Sequence, residues 1–394
     1  YRPHLRERIL RETPERRKFS LVFRLLTIAY TVLVVTSVSA FAGQGDIRVM
    51  ARVDTSNVAV REILAQWVDS LSTWRSVSRS ATYDRTSIPG MPDGVVRDWF
   101  SQDVDVVRTY PPTVLSIEPH GDSWVVRTMF ALIDPTSFHV IPLGILRTTF
   151  VRGEGGFVIL NPLDVLRRTM DSTQVGMILY RHRPSVIVRE DAADSAVQFV
   201  EQTAGRLDLA IPARIEFIIT ESRDELASSL GLEYFAFPPT GLSFPTSGVV
   251  LSGAGSPFYA HELVHMVLAD DDSTHPVIRE GVATWLGGSL GRSPDDVLND
   301  YVNERDSLAV PSLTELFTDI DLSQDDLYIV GAALCKRAWE QGGASAIRSL
   351  LEARSTSDAM LRFSRILGLD PTDTQETLYQ LVKLAAEPVA GGLK

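Results

Sequence analysis

His261-Glu262-Leu263-Val264-His265 is the stretch on which the reading of this chain turns. On a helix, residues i and i+4 lie one above the other on the same face, so both imidazoles can grip one ion. Glu262, one residue round from His261, reaches a water bound to that ion. Two neutral histidines, a third protein ligand and an open position for water make up the arrangement of zinc hydrolases. In it a carboxylate takes a proton from the water as the water attacks a carbonyl carbon.

The flanks predict helical structure around this motif. Ser256-Pro257 offers an N-cap and a first-turn proline, and Phe258, Leu263, Met266 and Val267 give the helix an apolar side. Asp270-Asp271-Asp272 ends it, because acidic side chains oppose the negative pole of a helix C-terminus. Further on, Glu280 stands in a second helix opened by Pro276 and closed near Gly287-Gly288, among Val277, Ile278, Val282, Ala283, Trp285 and Leu286. A carboxylate early in so apolar a helix is costly if buried alone. A cation is the most economical partner. Other third ligands fit less well. An extended His motif needs glycine at 268 and a ligand at 271, where Leu268 and Asp271 stand. His275 precedes a proline in a polar loop and reads as an exposed histidine.

His261-Glu262-x-x-His265 with Glu280-Gly281-x-Ala283 resembles the gluzincin metallopeptidases, the thermolysin- and aminopeptidase-N-like group. It is similar in style to the compact bacterial peptidase MA-like domains, over Met177 to Leu381. The resemblance implies zinc (Zn2+) held by His261, His265 and Glu280, with Glu262 as general base and acid and a peptide or protein as substrate. It implies an α+β, two-lobed zincin-like domain: a small mixed sheet with the zinc helix, then a helical lobe. In the family the second lobe supplies a tyrosine or histidine to the oxyanion. Tyr328, in Leu327-Tyr328-Ile329-Val330-Gly331, stands where compact members often carry tyrosine; the alternative is a core tyrosine. In the family an extended substrate pairs with the strand before the zinc helix. Val249-Val250-Leu251 is either that strand or a plain sheet strand, and Ser252-Gly253-Ala254-Gly255 would let backbone approach closely. No Gly-Ala-Met-Glu-Asn box is present, so the resemblance does not extend to aminopeptidase activity.

At 394 residues the chain is long enough for two domains. Residues 1–42 read as a targeting segment. Arg16-Arg17-Lys18 and Arg24 precede the uncharged run Leu25–Ala42, which ends in Ala40-Phe41-Ala42. This is a signal peptide with cleavage after Ala42, or a retained signal anchor, since such a run can just span a bilayer. No cysteine follows it for lipid attachment. Either way the body lies outside the cytoplasm, as a secreted, periplasmic or cell-surface protein. The formal charge of −12 becomes −17 without this segment. So acidic a body repels phosphate backbones and excludes nucleic acid as a partner. The sole cysteine, Cys335, lies among Ile329, Val330, Ala332 and Leu334 and reads as a small core residue.

Residues 43–172 form a first domain: an amphipathic helix over 55–80, a polar loop over Thr82–Arg97, and strands at Thr113–Glu118, Ser123–Ile133, Ile145–Arg152 and Gly156–Leu160, the last two joined as a hairpin by Arg152-Gly153-Glu154-Gly155-Gly156. One helix followed by a curved antiparallel sheet resembles the cone-shaped, nuclear-transport-factor-like α+β folds. Residues 173–394 form the metallopeptidase-like domain. Its sheet strands are expected at Ser185–Arg189, Ala213–Thr220 and Gly248–Ser252, with helices at Ala192–Leu207 and Glu221–Leu230. Helices are then expected at Pro294–Ser307, Ser312–Thr318, Leu322–Gly342, Ala344–Ala353, Ser357–Leu367 and Asp373–Ala386.

Two function classes follow. One is an extracytoplasmic zinc endopeptidase. The other is a non-catalytic extracytoplasmic binding or scaffold protein that keeps the fold. The intact Glu262 separates them, because a scaffold has no use for the base. A zinc hydrolase acting on a non-peptide amide is a third option.

Overall fold

Between Pro112 and Leu160 apolar and polar residues alternate, the pattern of strands with one covered face. The computed structural model describes residues 47–73, 109–134, 136–137, 139–269, 274–307, 310–318, 323–370 and 372–387. The expected leader (1–42), the loop over 82–97 and Asp270–Asp272 lie outside them. The chain is a mixed α/β protein with two mixed sheets.

The first sheet begins with β1 (Arg48–Val49), continues after α1 (Val58–Thr73) with β2 (Pro112–His120), β3 (Ser123–Ile133), β4 (Val140–Gly153) and β5 (Gly156–Leu160), and runs in that order. β1 pairs parallel to β2, and the rest of the path is antiparallel. β4 and β5 close on Gly153 and Gly156 as the expected hairpin. Ile63, Trp67 and Leu71 of α1 pack on Val126, Phe130, Leu146 and Phe150. The Trp67 indole N–H donates to Thr128 Oγ1 at 2.8 Å, so its polar edge is satisfied inside the core.

After α2 (Pro162–Arg167) the second sheet is built from β6 (Asp171–Val175), β7 (Ile178–His182), α3 (Glu190–Leu207), β8 (Ile215–Ile219), α4 (Arg223–Ser229), β9 (Leu232–Phe235), β10 (Gly241–Phe244) and β11 (Val249–Ser252). Its order is β10-β11-β8-β7-β6. β9 is the exception: it leaves this sheet and pairs antiparallel with β4 in the first. Side chains alternate across β8 and β11. Ile215, Phe217, Ile219 and Val250 face α3 and the motif helix, whereas Ile218, Val249 and Leu251 join the core beneath the first sheet. The segments on either side of residue 172 therefore share one core.

The rest is helical: α5 (Ala260–Leu268), α6 (Pro276–Gly287), α7 (Pro294–Glu304), α8 (Leu313–Thr318), α9 (Gln324–Leu351), α10 (Thr356–Leu367) and α11 (Gln375–Ala386). Four of them open on a serine whose hydroxyl accepts from the N–H three residues on: Ser293, Ser312, Ser323 and Ser355. Gly343, outside helical geometry, bends α9 where the sequence separates two helices. Cys335 is fully buried in this core, as read from its neighbours. Among the described residues no helix is long and apolar enough to cross a membrane.

Four expectations are corrected. Ser185–Arg189 is not a strand; the sheet uses Ile178–His182, and the chain turns at Pro184-Ser185. α5 starts at Ala260, not at Ser256-Pro257, because the Ser256 hydroxyl bonds Phe258 instead of capping the helix. β11 is central, hydrogen-bonded to β8 on one side and β10 on the other, so Val249–Leu251 has no free edge for a substrate strand. His275 is half-buried: it caps α6, Nδ1 accepting from Val277 N at 3.3 Å, with its ring against Phe317.

Candidate metal centre

α5 is wedged between two cores. Leu263, Met266 and Val267 pack toward the second sheet, and Val264 and Leu268 toward the helical part. With both flanks covered, the polar stripe left over is enclosed as well: His261, Glu262 and His265 are 6%, 7% and 5% exposed. Helical spacing alone would permit a solvated stripe. Here it faces α6.

Glu280 Oε2 lies 3.3 Å from His261 Nε2 and 3.4 Å from His265 Nε2. The imidazoles meet edge to face with centroids 5.1 Å apart, and one ligand atom from each of the three residues lies within 4.8 Å of the others. Donors each about 2.0–2.1 Å from one ion at tetrahedral angles stand roughly 3.3 Å apart, so the two His–Glu edges fit zinc. His261 Nδ1 faces the Gly288 carbonyl at 2.8 Å and donates to it, an arrangement that turns Nε2 toward Glu280 and, whenever the ring is neutral, makes Nε2 the nitrogen that can ligate a metal. One cation would satisfy both imidazoles and the carboxylate at once. Among the described residues this is the only such cluster, and His275 is not part of it.

α6 does two jobs. Its first half carries Glu280, and the carbonyl that follows its last turn orients His261. Gly288 must be glycine there: φ is +75°, and a Cβ would sit 1.9 Å from the Arg292 oxygen. Burial alone pushes the Glu280 carboxyl up, yet the neighbouring His265 and His261, by charge and hydrogen bonds, hold it well below the usual carboxylate range. The other oxygen, Oε1, accepts from Arg279 Nε at 3.1 Å.

Tyr328 reaches the site from α9. Where α6 and α9 cross, a Cβ on Gly281 would lie 2.6 Å from the Gly331 backbone, so the two glycines let the helices touch. Glu280 and Tyr328 flank this crossing. The Tyr328 ring stacks on His261, centroids 5.7 Å apart and planes at 27°. Burial raises the phenol's pKa, and the charges of Glu280 and Glu262 raise it further. The five residues singled out in the sequence thus stand together.

Others were not legible there. Tyr259, 8% exposed, is hydrogen-bonded to Thr240, and its phenol is pushed up by burial and by Glu262. Thr240 precedes β10, whose Gly241 has room for no side chain: a Cβ would meet the Tyr259 ring at 2.2 Å and Glu262 Cγ at 2.8 Å. β10 is the terminal strand of its sheet among the described residues. Its backbone therefore runs beside Glu262 with one edge unpaired. Only the glycine, lying between Pro238-Pro239 and Phe244-Pro245, could have hinted at this.

No protein-family model matches the chain, and no curated protein matches it in sequence.

Proposed function

We propose that the protein is a zinc-dependent metallopeptidase of the gluzincin kind, an endopeptidase acting outside the cytoplasm. The observation that carries this reading is the meeting of His261, His265 and Glu280 on one point with Glu262 beside them. The reading treats the second sheet with α5 as one lobe of a zincin-like domain and the helices from α6 onward as the other. His261, His265 and Glu280 would hold the ion. Zinc bound there supplies an acidified water and a Lewis acid for the carbonyl. Glu262 would act as general base and then general acid, its carboxylate carrying a proton to the leaving amine. Tyr328 donates to the oxyanion as charge develops. An extended peptide adds to the open edge of β10, and Gly241 keeps that backbone within reach of Glu262. The basic and apolar residues ahead of Gly43 support export.

The test combines metal analysis with a peptide-library cleavage assay. One zinc per chain is expected, with most of it lost on changing His261, His265 or Glu280 to Ala. Glu262→Gln should keep the metal and lose about a thousandfold in turnover. Equal turnover in parent and Glu262→Gln would end the peptidase reading, and full zinc in Glu280→Ala would remove Glu280 as a ligand.

A further inference from the structure

The two oxygens of Glu280 have different partners, and this difference carries more than ligand identity. Oε2 points at both imidazoles, at 3.3 and 3.4 Å. Oε1 points the other way, onto Arg279 Nε at 3.1 Å. Glu280 is 13% exposed at its side chain and Arg279 21%. Resting on the metal-site reading above, we propose that Arg279 is a positioning residue that holds Glu280 as a one-oxygen ligand. It occupies Oε1, so that a single carboxylate oxygen is presented to the ion.

Two effects of Arg279 on a cation oppose each other. Its positive charge repels the ion. Its N–H fixes the carboxylate and satisfies the oxygen that faces away from the two imidazoles. The guanidinium is the more exposed of the two groups, so water screens its charge. Oε1 has little water to replace a lost N–H. The hydrogen bond outweighs the repulsion, and the net effect of Arg279 is to strengthen metal binding. Partners one step beyond a metal ligand typically contribute ten- to a hundredfold in affinity. The arrangement also conserves a coordination position. A carboxylate released from Arg279 can swing its second oxygen onto the ion, where a water is needed.

Zinc affinity and the visible absorption of the cobalt-substituted protein test this in the full chain, using parent, Arg279→Ala and Arg279→Lys. Arg279→Ala should bind zinc roughly tenfold or more weakly, and its cobalt bands should weaken as the coordination number rises. Arg279→Lys keeps the charge without the planar fork and should recover only part of both signals. Melting curves register folding, and if Arg279→Ala does not fold, the lysine variant's cobalt spectrum decides. Affinity equal to or tighter than the parent's with an unchanged cobalt spectrum overturns the role of Arg279 alone. A parent that takes up neither zinc nor cobalt overturns the metal site on which it rests.

Discussion

Tyr328 shows how a side chain can be placed by residues that lie outside the site itself. Its ring lies on His261 because Gly281 and Gly331 let α6 and α9 meet backbone to backbone. A phenol that donates only as oxyanion charge develops should matter for turnover and not for binding. Tyr328→Phe keeps the ring and its stacking, so steady-state kinetics should show turnover down roughly a hundredfold with Michaelis constant and zinc content unchanged. A loss below about threefold would make it a packing residue. At this scale the sequence was most readable where chemistry is local. The spacing of His261, Glu262 and His265 needs only a helix, and Glu280 is conspicuous among apolar neighbours. The roles of Tyr259 and Gly288 were not readable, because Thr240 and His261, on which they act, are brought near only by the folded chain; Arg279 adjoins Glu280 in sequence, but which carboxylate oxygen it bonds is set by the fold.

Helix α6 concentrates the consequences at the level of elements. Gly331→Ala puts a methyl group about 2.7 Å from the Val277 carbonyl oxygen. α9 must then move away from α6, which should lower stability by about 1–3 kcal/mol and weaken zinc binding at Glu280; thermal melts and a metal titration read both. The start of the same helix is sensitive to pH. Burial holds His275 below its ordinary 6.5, against a smaller opposing effect from the Phe317 backbone, and its Nδ1 lone pair caps α6. Its contribution to stability is therefore complete above about pH 6.5 and lost as pH falls below that value, where the unfolded chain takes up the proton first. His275→Asn keeps a capping acceptor that does not titrate, so its melting temperature should fall less than the parent's between pH 7 and 5.5. Equal slopes would remove His275 from the account. Periodicity found the long helices, and the hairpin of β4 and β5 was readable from its glycines. The short strands β9 and β10 lack a period long enough to detect. The central place of β11 depends on a neighbour, β10, that was not detected.

In the whole molecule, the sequence divides at residue 172 while the core does not. Ile218, Leu226, Val249 and Leu251 pack with Trp67, Phe130 and Phe150, and Arg167 from the first half forms an ion pair with Glu216 of β8 at 3.0 Å. Residues 43–172 expressed alone would leave that face of the sheet uncovered. They should give no cooperative melt by circular dichroism, whereas a sharp transition would show that the segment holds its own core. The boundary at residue 172 falls in β6 and marks where the strands of one sheet give way to those of the next along the sequence; it carries no information on which strands later return. β9 has a consequence in time as well. A chain that is synthesised or threaded across a membrane N-terminus first presents β4 long before residues 232–235 arrive to pair with it. During that interval the sheet has an open edge beside an uncovered apolar face, so the early half is a client for any chaperone that shields nascent strands, and final closure of the first sheet waits on the passage of the second.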